Sequence, residues 1–197
     1  AKAAYFGSSF SYSDASFEVS RRFLNIAKRN RLSIFYDPNI RVNAIKTSQK
    51  VKKRVIGFIK ESDVVKLSRE DIGFITGEAG LKRSLYKLRR KTGALIILTL
   101  GKNGALSMDK RNHIVKTDAF KIKAVDTIGA GDAFGAGILF KFCESSYNME
   151  NFLDNIEKNL IFAQAASALT SLFHGSLSGI KKAGDVDRFL KRSRYGI

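Results

Sequence analysis

The run Ala94-Leu95-Ile96-Ile97-Leu98-Thr99-Leu100 holds no charge and a single hydroxyl. A strand with one wet face alternates apolar and polar side chains. A run without alternation suits a strand covered on both faces, as in a parallel sheet between helical layers. Strand-like and helix-like segments alternate around it. Residues 3–6 read as a strand, followed by a helix with Asp14 as its N-cap. Residues 33–36 are a second strand, stopped by Asp37-Pro38-Asn39, and residues 63–67 a third. Ser68 then reads as an N-cap with Asp71 three positions on, close to a capping box. After the apolar run, strands are expected at 105–108, 113–117 and 120–125, with a turn at 109–112. Helices are expected at 131–147, 150–173 and 184–193. This order predicts an α/β layered fold. With 197 residues, and no repeat, linker or low-complexity stretch, residues 1–197 read as one domain.

Composition removes several function classes. The sole cysteine, Cys143, lies in an apolar helical pattern and excludes an internal disulfide framework; a reducing, cytoplasmic setting is expected. No apolar run reaches membrane-spanning length, and the first residues do not read as a signal peptide. His113 and His174 do not combine with Cys143 into a metal-binding pattern. His174-Gly175 reads as a C-terminal helix cap. The net charge is +17, which raises nucleic acid as a partner. Lysine and arginine are nevertheless spread along the chain. The clusters at 50–54 and 82–91 fall in helical patterns, where a solvated face is the usual explanation. No zinc-finger, RRM or KH motif occurs, so specific nucleic-acid binding is not expected, nor is a membrane partner.

The chemistry concentrates at Val125-Asp126-Thr127-Ile128-Gly129-Ala130-Gly131-Asp132-Ala133-Phe134-Gly135. A small-residue turn feeds an apolar helix, and the free amides and positive end of that helix make an anion site. Asp132 stands at the same point. A carboxylate beside a phosphate site suits a base that takes a proton from a hydroxyl while the amides of Gly129, Ala130 and Gly131 stabilise the transferring group. A helix-capping aspartate is the alternative for Asp132. A dinucleotide fingerprint is disfavoured, because the glycines read G-x-G-x-x-x-G and lie far from the N-terminus. No Walker A pattern and no G-x-S-x-G elbow occur.

Asp126-Thr127-x-Gly129-Ala130-Gly131-Asp132 closely resembles the second signature of the ribokinase-like carbohydrate kinases. Tyr36-Asp37-Pro38-Asn39-Ile40-Arg41 is similar to the Asp-Pro-Asn-x-Arg segment of the fructokinase and 2-keto-3-deoxygluconate kinase branch. Thr99-Leu100-Gly101-Lys102-Asn103-Gly104 resembles the Thr-x-Gly-x-x-Gly loop beside the nucleotide, and residues 162–169 the late helix that borders the adenine. The resemblance implies a three-layer fold with a mostly parallel central sheet. It implies ATP, carried with Mg²⁺, as donor to the hydroxymethyl group of a small sugar, and it leaves K⁺ and a homodimer open.

Residue by residue, the resemblance makes Asp132 the base, with Gly129, Ala130 and Gly131 as the anion hole. It places Lys66, Ser68, Thr99, Gly101, Gly104 and Gln164 near ATP, and Asn39, Arg41 and Asp132 near the sugar. Asp71 would organise Mg²⁺ through water, and Asp126 with the Ile128 carbonyl would border a monovalent cation. Alternatives stand beside several of these: a turn aspartate at Asp126, a hairpin turn at Gly101 and Gly104, an N-cap at Ser68, and a salt-bridging arginine at Arg41.

Three positions depart from the pattern. The family's Asn-x-x-Glu element is Ser68…Asp71 here, Gln164 stands where asparagine is usual, and a chain starting at Ala1 is expected to lack the family's N-terminal strands and lid. The expectation is therefore the C-terminal, nucleotide-binding and catalytic portion of a fructokinase-like enzyme, with little activity by itself. A 2-keto-3-deoxygluconate kinase, or a non-catalytic basic nucleotide- or nucleic-acid-binding remnant, is the alternative.

Overall fold

The computed structural model describes residues 1–7, 13–40, 49–176 and 178–193. The chain forms two compact units, Ala1–Thr99 with Ser107–Ile114, and Leu100–Leu106 with Val115–Ile197. In chain order the elements are β1 (Ala3–Gly7), α1 (Asp14–Arg29), β2 (Ser33–Asp37), α2 (Gln49–Lys60), β3 (Val64–Ser68), α3 (Arg69–Thr76), α4 (Leu81–Arg89) and β4 (Leu95–Thr99). A 3₁₀ turn (Gly101–Asn103) leads to β5 (Ala105–Met108) and β6 (Ile114–Thr117). Then come α5 (Ala130–Glu144), α6 (Met149–Asp154), α7 (Ile156–Ser171) and α8 (Ala183–Arg192).

The six strands follow sheet order β1-β2-β3-β4-β5-β6. Strands β1 to β4 are parallel, with Gly7 opposite Asp37 and Ser68 opposite Thr99. Parallel pairing requires a crossover between neighbours, so the carboxyl ends of these strands share one edge, where ligands gather in open α/β sheets. The apolar run behaves as its composition requires: Ile96, Ile97 and Leu98 are fully buried. The first unit also packs Phe6 against Tyr36 and Phe58, with ring centroids 4.7 and 5.4 Å apart. In the second unit Gly137 lets α5 meet α7 closely, since a Cβ there would lie 2.8 Å from the Ala163 Cα.

Several local expectations change. The N-cap of α1 is Ser13, whose Oγ accepts the Ser16 amide at 3.0 Å. Asp14 instead pairs with Lys50 at 2.7 Å and with Arg54. Residues 120–125 are not a strand. Phe120 packs on Phe189 of α8, with centroids 5.2 Å apart, and the Val125 amide donates to the Ser171 carbonyl, so the segment follows helices and not the sheet. The helix expected over 150–173 is two, α6 and α7, parted at Asn155. There the buried Asn159 side chain donates to the Phe152 carbonyl at 2.9 Å and substitutes for a helical bond.

Candidate functional site

In the second unit the signature folds as a latched turn in front of α5. Asp126 uses both carboxylate oxygens: Oδ1 accepts the Ile128 amide at 2.9 Å and Oδ2 the Gly175 amide at 3.0 Å. These two amides, the Ile128 bond first, hold its carboxyl below the usual carboxylate range, and the nearby His174 adds to the effect. Gly175 therefore serves Asp126 and is not the cap of α7, which ends at Ser171 with Leu172 as C-cap. Gly129 caps α5 in the left-handed region with φ 79°. A Cβ at this position would lie 2.4 Å from the Ser176 Cβ, so glycine is required by backbone conformation and by space.

The first turn of α5 leaves amides without an i−4 acceptor at Ala130, Gly131 and Asp132. The Ala130 amide is satisfied by the Thr127 carbonyl at 3.2 Å. Gly131 and Asp132 are exposed. Among the described residues no hydrogen bond engages the Asp132 carboxylate, and the α5 cap has no side-chain hydrogen bond, so Asp132 does not act as a capping residue. It borders an apolar cavity of about 410 Å³ together with Gly129, Phe140, Phe162, Ser176 and Ile180.

The glycine loop is also in this unit. The Leu100 amide donates to the Gly104 carbonyl at 2.8 Å and the Gly104 amide to the Gly101 carbonyl at 3.0 Å. Gly104 has φ 87°, and a Cβ there would lie 1.9 Å from the Thr117 carbonyl oxygen. Gly101 has φ 56° with open space around it. A cavity of about 710 Å³ borders this loop, lined by Lys102, Asn103, Lys116, Phe120 and Lys121 among others. Sequence reading missed these cationic positions because Lys102 and Asn103 occupy the free positions of the loop motif. Lys116 and Phe120 enter only through the fold. Gln164 is buried, and its amide bonds the Thr117 hydroxyl in either orientation, so it holds the end of β6 in place.

In the first unit four positions meet at the carboxyl edge of the sheet. Lys66 is buried, with Nζ 2.5 Å from Asp37 Oδ2, and the Tyr5 hydroxyl donates to the same oxygen at 2.9 Å. Asp37 Oδ1 is buried without a hydrogen-bond partner among the described residues. Ser68 and Asp71 form the capping box: Ser68 Oγ accepts the Asp71 amide at 3.0 Å, and Asp71 Oδ2 accepts the Ser68 amide at 2.7 Å. The other oxygen, Oδ1, accepts the Ile40 amide at 2.6 Å. Burial pushes the Asp71 carboxyl up, against the pull of those amides, and the Asp37 charge adds to the rise. Asp71 is 3% exposed, so its carboxylate serves as scaffold and is not offered to a hydrated cation. Asn39 is exposed in the left-handed region with φ 39°. The Thr99 hydroxyl donates to the Leu67 carbonyl at 3.4 Å. Arg41 lies outside the described residues.

The arrangement supplies an uncommitted carboxylate beside free helix-terminal amides, and a glycine loop beside a lysine-lined cavity. Both suit phosphate chemistry. Among the described residues no three His, Cys, Asp or Glu cluster to hold a metal, and no helix is long and apolar enough to cross a membrane.

Known proteins share this fold. Over 173 residues the chain is 27% identical to fructokinase-1 of Zea mays, covering 87% of this chain and 53% of that protein. The fructokinase of Vibrio cholerae O395, solved with fructose, ADP and calcium, superposes with a TM-score of 0.84 at 24% identity, over 94% of this chain and 59% of its own. The aminoimidazole riboside kinase of Salmonella enterica, solved with aminoimidazole riboside and an ATP analog, gives 0.83 at 21% identity, over 94% and 61%. These likenesses show the ribokinase-like fold, and the chain spans about half the length of the curated relatives it matches. The family model for pfkB family carbohydrate kinases matches residues 1–183, and the chain belongs to that family.

Proposed function

We propose that the chain is the nucleotide-binding and base-bearing portion of a cytoplasmic, fructokinase-like enzyme that transfers the γ-phosphoryl group of ATP to a sugar hydroxymethyl group. One observation carries the reading. Of the four aspartates in the candidate motifs, Asp37 is paired with Lys66, and Asp71 and Asp126 are committed to backbone amides, while Asp132 makes no hydrogen bond among the described residues and lines a cavity at a helix N-terminus.

Phosphoryl transfer needs positioning and charge stabilisation more than covalent participation. Asp132 would accept the proton of the attacking hydroxyl, and the amides of Gly129 and Gly131 would stabilise the transferring phosphate, joined by that of Ala130 if it leaves the Thr127 carbonyl. Gly101, Gly104 and Thr99 would border ATP, with Lys102 and Lys116 supplying positive charge. Asn39 and Arg41 would contact the sugar. Magnesium would arrive with the nucleotide, held by phosphate and water, since the described residues offer no protein-built cage. Asp126, whose carboxyl is held below the usual range by the Ile128 and Gly175 amides, would border a monovalent cation such as K⁺ together with the Ile128 carbonyl. Such a cation would supply positive charge beside the anion hole.

A second reading is a nucleotide-binding chain without turnover. It is favoured by the internal commitment of Lys66 and Gln164, which the resemblance places near ATP, and of Asp71, which it places near Mg²⁺ through water. Measuring ATP consumption across a panel of ketoses, aldoses and 2-keto-3-deoxy acids, on the longest natural form, separates the two. Fructose-dependent ADP release is expected. ATP binding without any sugar-dependent turnover would favour the second reading.

A further inference from the structure

The first unit also gathers cationic side chains on residues outside the candidate motifs. Helix α4, LKRSLYKLR, has no acidic residue, and its N-cap Gly80 makes no side-chain hydrogen bond. Its outer face and the β5–β6 turn together line a groove of about 830 Å³. Lys82, Arg83, Lys87 and Arg90 come from the helix end of the groove, and Lys110 comes from the turn, some twenty residues on in sequence. The turn is fixed: Asp109 Oδ1 accepts the amides of Arg111 and His113, each at 2.8 Å, and the Asp109 charge acts on Arg89.

Two cations of the groove are partly balanced. Lys87 pairs with Glu78 at 2.7 Å, and the Arg89 guanidinium donates to the carbonyls of Ala94 and Thr92. Glu78 is held below the usual carboxylate range, by Lys87 first and by the Arg83 charge as well. Among the described residues no carboxylate forms an ion pair with Lys82, Arg83, Arg90 or Lys110. Tyr86 projects into the same groove and is 42% exposed.

We propose that this groove binds single-stranded nucleic acid through its phosphate backbone, without sequence selectivity. Cations from two separate segments converge on one concavity, as a backbone-tracking groove requires, and an exposed aromatic ring at its wall gives a base a stacking surface. A membrane surface fits less well, because interfacial binding needs an apolar face to insert and Tyr86 is the groove's one exposed large aromatic side chain. The inference is independent of the kinase reading, since none of these residues belongs to the candidate site.

The test is fluorescence anisotropy with a labelled oligouridylate of about 12 nucleotides, at about 50 and about 200 mM salt. Two charge-reversal triples are compared, K82E/R83E/R90E in the groove and R22E/R29E/K60E on α1 and α2. All six side chains are exposed, and circular dichroism checks that each variant is folded. The groove triple should weaken binding at least about tenfold and flatten the salt dependence, while the second triple changes it less than about threefold. Y86A should weaken it about tenfold with the salt slope unchanged. Equal losses from the two triples would overturn the proposal, because dispersed charge would then explain the binding. Absence of binding at the lower salt would also overturn it. So would groove-dependent binding to anionic phosphatidylserine vesicles or to poly-glutamate with none to the oligonucleotide.

Discussion

Asp126 and Gly175 stand 49 positions apart in sequence and are joined by a 3.0 Å hydrogen bond from the Gly175 amide to the Asp126 carboxylate. With the Ile128 amide on its other oxygen, this one side chain pins the turn before α5 to the loop after α7. Replacing Asp126 with asparagine keeps one acceptor and turns an NH₂ against the other amide. Hydrogen exchange should then speed up several-fold at Ile128 or Gly175, with little change in the first unit. The native pKa lies below the unfolded one, so the unfolded state binds more protons. This contribution is complete above the ordinary carboxylate range and is lost as pH falls through the lowered native value. Urea melts from about pH 3 to pH 6 should show a flatter acid limb in the variant.

Asp71 carries the opposite sign. Its native pKa is raised, chiefly by burial, so the native state binds more protons than the unfolded state between the two values. Its contribution therefore declines as pH rises through that window. Asp71→Asn should remove this decline and lower stability by about 1–3 kcal/mol, because one of two buried amides loses its acceptor. Parallel melts of the two proteins across the acid range check both effects.

The buried Lys66–Asp37 pair should respond asymmetrically. Lys66→Met leaves the Asp37 carboxylate buried without its cationic partner, the Tyr5 hydroxyl still donating to it, and should cost about 3–5 kcal/mol. The double variant Asp37→Asn/Lys66→Met should recover much of that loss. Denaturant midpoints of the singles and the double measure it, and a double no better than Lys66→Met would contradict the pairing argument.

Two glycines of one loop should differ sharply. Gly104→Ala places a methyl group 1.9 Å from the Thr117 carbonyl oxygen in the left-handed region, and should destabilise by at least about 3 kcal/mol or prevent folding. Gly101→Ala meets open space and should cost only about 1–2 kcal/mol for the conformation. Thermal melts of both variants give the comparison.

Asp132→Asn, made in the longest natural form, should bind ATP normally and lose about a hundredfold to ten-thousandfold in turnover. Stability should fall by no more than about 1 kcal/mol, since the carboxylate loses only its attraction to the positive end of α5. A variant with near wild-type kcat would remove Asp132 from the role of base.

The local features were legible in the sequence. The run at 94–100 announced a doubly covered strand, and the Ser68…Asp71 spacing announced the capping box, because each is set by neighbours within a few residues. What stayed hidden depends on partners brought together by the fold. Nothing near Gln164 marks its bond to Thr117, and nothing near Lys66 marks Asp37, 29 positions away. The strand expected at 120–125 failed for the same reason: its pattern is strand-like, but Phe189 and the Ser171 carbonyl claim its contacts. Lys110 belongs to a groove with α4 only because the β5–β6 turn carries it there.

The two oxygens of Asp71 also bear on the order of folding. One closes a contact across three positions with Ser68, the other a contact across 31 positions with Ile40. The first forms as soon as α3 nucleates, whereas the second waits for the crossover through α2 to close. Until it does, the second Asp71 oxygen is satisfied by water, and closure desolvates the carboxylate as it supplies the Ile40 amide. The start of α3 and the turn after β2 should therefore gain protection from exchange together, as one cooperative unit, and later than the helix ends that need no distant partner.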